Sequence, residues 1–320
     1  MANNARFART EQMKTPAYAL VTPAKNEEEY IGRTIQGVLN QTIHPVKWVI
    51  VDDGSSDRTA AIAGAYASRH RWISVVQKDP GLTRDFASKV RSFAMGCEQL
   101  KDVAYEYLGN LDADVLLGPE YYERIIRLFD GDTCLGIAGG RFYDTMENGR
   151  CYPVRNSPDS VRGAVQMFRR RCYEDVGGYL ALPMGGIDSA AETMARMKGW
   201  KVRTFPGLTV LHLRPTGSSR KSALSALVRR GFQDHSLGYH GLFEVVRCGA
   251  RMSERPYVIG GLGVLFGYCW SWIRGDQPVL PADTVNFLRG EQRAKLVQRL
   301  KRIVSFKRKT DLSGRSIEGK

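Results

Sequence analysis

The amino-acid sequence predicts an α/β fold: a mostly parallel sheet flanked by helices, with a helical C-terminal extension. From Tyr18 onward, short apolar runs alternate with longer stretches whose apolar residues recur at helical spacing, the pattern of successive βα units. Polar, carboxylate-bearing turns close several of the apolar runs, at the strand ends where ligands collect in open α/β sheets. A chain of 320 residues with 43% hydrophobic content can also bury a proper core, which argues against disorder.

The first strand is read at Tyr18–Thr22 and ends at Pro23; Ile31, Ile35, Val38 and Leu39 then place a helix within Glu27–Leu39. Trp48–Val51 is the second strand. It opens into Asp52-Asp53-Gly54-Ser55-Ser56-Asp57, a turn in which Ser56 or Asp57 is placed to cap the Ala-rich helix Thr59–Arg69. Ile73–Gln77 gives a third strand and Asp85–Leu100 a helix. Tyr105–Leu111 then reads as a buried strand that delivers Asp112-Ala113-Asp114 to its C-terminal end. Tyr121–Phe129 is helical, and Leu135–Phe168 reads as strands and loops crossing the sheet edge. Met184-Gly185-Gly186-Ile187-Asp188 is expected as a flexible loop before a helix at Ser189–Lys198, followed by two short strands, Trp200–Thr204 and Thr209–Leu213.

Near Pro215 the composition changes. The organisation expected is a flexible segment 1–16, a catalytic domain 17–215 and a basic, partly apolar helical region 216–320 in which Ser222–Phe232 reads as a helix. The run Val258–Ile273 is Gly-rich and short for a membrane span, which takes about 17 to 25 residues. It is expected to lie in the membrane interface as a helix or to form a hairpin, beside the basic amphipathic stretch KLVQRLKRIVSFKRK, which suits anionic lipid. The competing reading is a helix packed on the catalytic domain with a solvated basic tail.

A net charge of +14 calls for an anionic partner, and nucleic acid, lipid headgroups and nucleotide phosphates all meet that requirement. Much of the excess lies beyond Pro215, whereas a nucleic-acid or acidic-polymer binder interleaves basic residues with exposed aromatics on one face; no nucleic-acid partner is expected. The six cysteines form no CxxC pair and no zinc-like spacing with the five histidines, so a reduced compartment fits. The polar N-terminus lacks an apolar signal core, which places the expected catalysis on the cytosolic side.

Chemistry concentrates at the strand ends. Carboxylates in Thr22-Pro23-Ala24-Lys25-Asn26-Glu27 and in the Asp52–Asp57 turn can accept hydrogen bonds from a base or a ribose, although the second stretch is equally a good turn and helix cap. Asp112 and Asp114, one residue apart after an apolar strand, are hard oxygen donors at a spacing that reaches Mg²⁺ or Mn²⁺ directly or through water. Asp188, in a glycine-flanked loop before a helix, is either a cap or a base.

Taken in order, PAKNEE, VDDGSSD, LDADV and GGIDSAAETMARMKGW resemble family 2 glycosyltransferases of the GT-A fold over roughly residues 17 to 213. No single motif is specific; their order and spacing are. The resemblance implies a nucleoside-diphosphate-sugar donor, a divalent metal (Mg²⁺ or Mn²⁺), and a single inverting displacement. It implies that Pro23, Ala24, Asn26, Glu27 and Asp53 line the nucleoside pocket, that Asp112-Ala113-Asp114 holds the ribose and the diphosphate-bound metal with Asp114 as metal ligand, and that Asp188 is the catalytic base. His212, ending Thr209-Val210-Leu211-His212, falls where related transferases bring an imidazole to the metal or diphosphate, and a structural role is its other reading. Arg214, two residues on, is a further candidate phosphate partner. Lys89 and Arg84 lie where the family presents basic groups to the nucleotide; for Lys89 a solvated helix face is the alternative. Gly199-Trp200 keeps the register, but Ile187 stands where the family has a glutamate and Met194 where an arginine is common, so acceptor recognition differs. A sugar-nucleotide pyrophosphorylase would carry a Gly-rich basic loop near its N-terminus, where this chain has the acidic PAKNEEEY. The implied acceptor is a saccharide or a lipid-linked saccharide in cell-surface polysaccharide assembly, met at the inner face of the membrane.

Overall fold

A computed structural model describes residues 17–78, 86–146, 148–154, 156–214, 223–253 and 257–314; the N-terminal segment 1–16, Arg84 and the change of composition at Pro215 fall outside them. The first half of the chain lays down βα units in order: β1 (Tyr18–Ala24), α1 (Ile31–Leu39), β2 (Lys47–Asp52), α2 (Thr59–Ala67), β3 (Ile73–Gln77), α3 (Phe86–Glu98) and β4 (Tyr107–Asn110). Their strands pair in parallel as β3-β2-β1-β4. Covered on both faces, these strands read as continuous apolar runs rather than alternating ones. The pleat still sorts the side chains: Leu20, Trp48 and Ile50 join the core containing Ile31, Ile35 and Phe129, while Val21, Val49 and Val51 join the opposite core with Phe93, Phe168 and Ala191.

The stretch without clear periodicity supplies β5 (Val115–Leu117), α4 (Tyr121–Gly131), β6 (Leu135–Thr145), β7 (Cys151–Pro153), β8 (Met167–Arg169), α5 (Arg170–Val176), α6 (Ile187–Met197) and β9 (Lys201–His212). Here β8 runs antiparallel between β4 and β6, β9 is parallel to β6, and β5 and β7 attach antiparallel at the far side. The parallel ladders hold most of the paired residues.

Two expectations change. The pair of short strands after Trp200 is one strand, β9, in which Pro206-Gly207-Leu208 bulge out where the ladder to β6 shifts register. Helix α6 begins at Ile187 rather than Ser189, because Gly186 takes φ +84° and forms the N-cap. Asp188 therefore belongs to the first helical turn and is not held in a loop.

The C-terminal region is helical: α7 (Ala223–Ser236), α8 (Gly241–Arg251), α9 (Ile259–Ile273) and α10 (Ala282–Gly314). The apolar run is one continuous helix, not a hairpin. Its glycines let it lie backbone to backbone on α7: a Cβ on Gly267 would stand 2.0 Å from the Val228 carbonyl oxygen, and one on Gly231 the same distance from that of Val264. The opposite face exposes Ile259, Leu262, Phe266, Trp270 and Ile273. No described helix is long and apolar enough to cross a membrane. The helices rest on the sheet domain through a small core of Leu182, Ala190, Leu237, Leu280 and Val285, and through an Arg196–Glu291 ion pair at 2.8 Å.

Candidate active site

Strands β1, β2 and β4 run the same way, so their C-terminal ends open on one edge of the sheet. There a cavity of about 220 Å³ is lined by Pro23, Ala24, Glu27, Asp53, Lys89, Asp112, Ala113 and Asp114, joined by Lys25, Ser88 and Arg214. Asn26 is adjacent but turned away. With φ +55° it presents its carboxamide oxygen to the Ser56 N–H (2.9 Å), and its own N–H donates to Ser55 Oγ (2.9 Å), tying the first turn to the second.

The Asp52–Asp57 turn divides its labour. Asp52 Oδ2 accepts the Ser55 N–H, Asp57 accepts from Thr59 and from the Glu28 N–H, and Asp53 alone faces the cavity. Turn geometry thus uses two of its carboxylates and leaves the third at the cavity wall.

Each carboxylate in this cavity has a cationic partner. Asp53 meets Lys78 Nζ at 2.7 Å and accepts from Ser88 Oγ at 2.5 Å. Burial works against its ionisation, but those hydrogen bonds and the lysine charge more than offset it, and its pKa falls below the ordinary carboxylate value. Lys89 Nζ lies 2.5 Å from Asp112 Oδ1, so this part-exposed lysine is turned to the site. Arg214 bridges Glu27 (2.6 Å) and Asp114 (2.7 Å) while stacking over Tyr30. Burial pushes the Glu27 carboxyl up to about 7 even with that guanidinium beside it. Asp114 is drawn below its ordinary value against burial by His212 and Arg214. His212 sits between two carboxylates, Nε2 at 3.2 Å from Asp114 Oδ2 and Nδ1 at 2.9 Å from Asp144 Oδ1; burial opposes its charge, but the paired aspartates raise its pKa.

Asp114 Oδ2 and His212 Nε2 converge at a separation suited to neighbouring ligands of one small cation. No cluster of three or more His, Cys, Asp or Glu ligands occurs among the described residues. That donor set fits Mg²⁺ or Mn²⁺, which take one or two protein ligands and complete their shell with water and substrate phosphate.

A second cavity, of about 370 Å³, adjoins the first through Lys89 and Asp112 and is lined by Phe142, Arg162, Gly163, Gly186, Asp188 and His212 among others. Asp188 is fixed by backbone: Oδ1 accepts the Ser189 N–H at 2.9 Å, and Oδ2 accepts the Gly163 N–H at 3.3 Å. A Cβ at position 163 would stand 3.1 Å from that of Asp188, so glycine allows the close approach. One turn along α6, Glu192 accepts the Val161 N–H at 2.5 Å and Gln166 Nε2 at 3.2 Å. Burial raises the Glu192 carboxyl to about 8.

Residues 19–183, just over half of the chain, match the model of the glycosyl transferase family 2. The chain belongs to that family. As a family 2 protein it resembles the putative glycosyltransferase EpsH of Bacillus subtilis (strain 168), 32% identical over 42% of this chain and 37% of that one. It is 32% identical to the chondroitin synthase of Escherichia coli over 42% of this chain and 18% of that one. With the poly-beta-1,6-N-acetyl-D-glucosamine synthase of Staphylococcus epidermidis it shares 26% identity over 63% of this chain and 50% of that one. The family 2 chain thus spans half or less of the length of these relatives. Among solved structures, the mannosyltransferase PcManGT from Pyrobaculum calidifontis, in complex with GDP-Man and Mn²⁺, superposes with a TM-score of 0.53 at 15% identity over 89% of this chain and 81% of that one. GalNAc-T7 with UDP, GalNAc and Mn²⁺ gives 0.56 at 13% identity over 83% and 55%. Both share the GT-A fold.

Several residues of the site were not singled out in the sequence. Lys78 directly follows β3 and could have been found by the same strand-end logic as Asp53. Ser88 lies on α3 one residue before Lys89. Arg162 and Glu192 had no such marker: the first lies in a stretch without periodicity, and the second reads as an ordinary helix residue.

Proposed function

We propose that the protein is an inverting glycosyltransferase that moves a sugar from a nucleoside-diphosphate donor to an acceptor hydroxyl. The observation that carries this reading is the pair of adjoining cavities, one walled by carboxylates and cations at the strand ends and the other holding Asp188, with Lys89 and Asp112 common to both. Donor and acceptor sites side by side are what a single displacement at one carbon requires.

In this reading Pro23, Ala24, Glu27 and Asp53 receive the nucleoside, with Asn26 holding the shape of the turn. Asp114 and His212 would hold a divalent cation, which neutralises the departing diphosphate. Arg214 and Lys89 stabilise the same charge by turning from their carboxylates to phosphate oxygens. Asp188, anchored on two backbone N–H groups, takes the proton of the acceptor hydroxyl as it attacks, and no covalent glycosyl-enzyme forms. The nucleotides and Mn²⁺ bound to the two structural neighbours support the donor class and the metal. The chondroitin and poly-N-acetylglucosamine synthases among the relatives support a saccharide acceptor in glycan assembly.

The exposed apolar face of α9, on a chain of net charge +14, supports work at the anionic inner face of a membrane on a lipid-linked saccharide. A cavity of about 700 Å³ is lined by Leu265 and Trp272 of the same helix together with Val245, Arg289 and Arg293 among others. Replacing Phe266 and Trp270 together by serine is expected to weaken sedimentation with anionic liposomes; equally weak binding by both proteins would make this face ordinary surface.

The donor site is tested by thermal denaturation with UDP, GDP, dTDP and CMP in Mn²⁺ or Mg²⁺. A ligand at a hundred times its Kd stabilises by about 2.7 kcal/mol. One nucleotide is expected to raise the melting temperature only with metal, and no shift with any of them would overturn the reading.

A further inference from the structure

We infer that Arg162 anchors an anionic group of the acceptor, a phosphate or a carboxylate carried close to the attacking hydroxyl. This rests on the transferase reading, because it assigns the chemistry of the substrate that meets Asp188. Arg162 lines the cavity of Asp188 and is absent from the wall of the donor cavity.

Its placement is rigid. The residues on either side are pinned to one helix, Val161 N–H to Glu192 and Gly163 N–H to Asp188, two carboxylates one turn apart on α6. The guanidinium lies against the Phe142 ring, 5.8 Å from its centroid. Among the described residues it makes no ion pair and no side-chain hydrogen bond.

That makes it unlike the basic groups next door, since Lys78, Lys89 and Arg214 each contact a carboxylate. Asp144 and Asp188 attract Arg162 and Arg230 repels it, all without contact, and burial depresses the guanidinium pKa. The two aspartates are engaged elsewhere, Asp144 with His212 and Asp188 with backbone N–H groups. A planar fork of donors, half-buried and facing the cavity of the base, is matched by a planar carboxylate or by phosphate oxygens. A neutral sugar alone would cover the guanidinium without supplying a counter-charge. The arrangement therefore selects acceptors whose hydroxyl lies near a negative charge, such as a glycosyl phosphate or a uronic acid.

The test compares wild type with Arg162→Gln and Arg162→Lys by equilibrium binding of glucose 1-phosphate, methyl glucuronide and methyl glucoside, each with and without saturating nucleoside diphosphate and Mn²⁺. One anionic saccharide is expected to bind the wild type, at least tenfold more weakly Arg162→Gln, and at intermediate strength Arg162→Lys; which one binds tells phosphate from carboxylate. The neutral glucoside should not distinguish the proteins, and nucleoside-diphosphate affinity should stay equal. The assignment is overturned if neither anionic saccharide binds the wild type, if anionic and neutral saccharides bind it alike, or if Arg162→Gln binds the anionic ones as the wild type does. Weakened nucleoside-diphosphate binding in Arg162→Gln would overturn it too, by placing Arg162 on the leaving group. Should the wild type bind an anionic saccharide through Arg162 but no nucleotide, the anion site stands and the transferase reading falls. An Arg162→Gln chain that fails to melt cooperatively hands the comparison to Arg162→Lys, which keeps the charge without the fork.

Discussion

In the half of the cleft proposed for the donor Asp53 meets Lys78, Asp112 meets Lys89, and Asp114 and Glu27 share Arg214; in the half proposed for the acceptor Asp188 takes backbone N–H groups and Arg162 meets no carboxylate among the described residues. In the proposed reading a donor diphosphate and its cation would exchange with these pairs, the cation for Arg214 on Asp114 and the phosphates for carboxylates on Arg214 and Lys89. Binding there would then be an exchange of ion pairs, which limits the cost of desolvating any one charge. In the other half the proposed base, Asp188, is held by main-chain N–H groups, an arrangement that would preorganise it for proton transfer.

The largest effect is expected where that difference is most direct. Asp188→Asn keeps the shape of the side chain and the Ser189 N–H contact but cannot accept a proton, so kcat should fall by roughly 10² to 10⁴, or about 3 to 5 kcal/mol of barrier, while donor affinity stays put. Product formation measured beside nucleotide affinity decides it. Turnover above about a tenth of normal, against that general-base expectation, would mean that another group is the base.

Asp114→Ala should act on the other half. Loss of the metal's charge stabilisation predicts kcat/KM lower by about 10² to 10³, roughly 3 to 4 kcal/mol, with nucleotide binding no longer dependent on metal. Arg214 keeps Glu27, so the fold should survive. Unchanged metal dependence would remove Asp114 from the cation site and dissolve the contrast between the halves.

The smallest effect concerns the support beneath the base. Glu192 has a folded-state pKa of about 8 against an ordinary 4.5, so its contribution to stability is complete below about pH 4.5 and is lost as pH rises through 8. Glu192→Gln lacks this dependence. Relative to that variant, wild type should lose about 2 kcal/mol between pH 6 and pH 7.5, at 1.36 kcal/mol per pH unit, in denaturant unfolding. Parallel curves would show that Glu192 stays ionised, and that α6 holds Val161 by a charged rather than a neutral acceptor.

The βα units from β1 to β4, the strand-end positions of Asp53, Asp112 and Asp114, and the place of Asp188 at the head of a helix were legible in the sequence. Each is a local matter: an apolar run fixes the strand, the parallel order fixes which end faces the ligand, and the polar residue after the run lands there. Separations of 25 to 31 residues between Gly163 or Val161 and their partners on α6, and of 187 between Arg214 and Glu27, leave no such trace. Periodicity reports which face of an element is buried but not which distant backbone group its carboxylate reaches. The sequence by itself thus determined the βα units from β1 to β4, the strand-end carboxylates and the family resemblance, through patterns written within a few residues of one another. Only the tertiary structure decided that Gly186 starts α6 early, that Arg214 joins two turns from opposite ends of the domain, that glycines press α9 onto α7 with its apolar face outward, and that Arg162 lines the cavity of Asp188 with no ion pair among the described residues, because each depends on the packing of segments far apart in the chain.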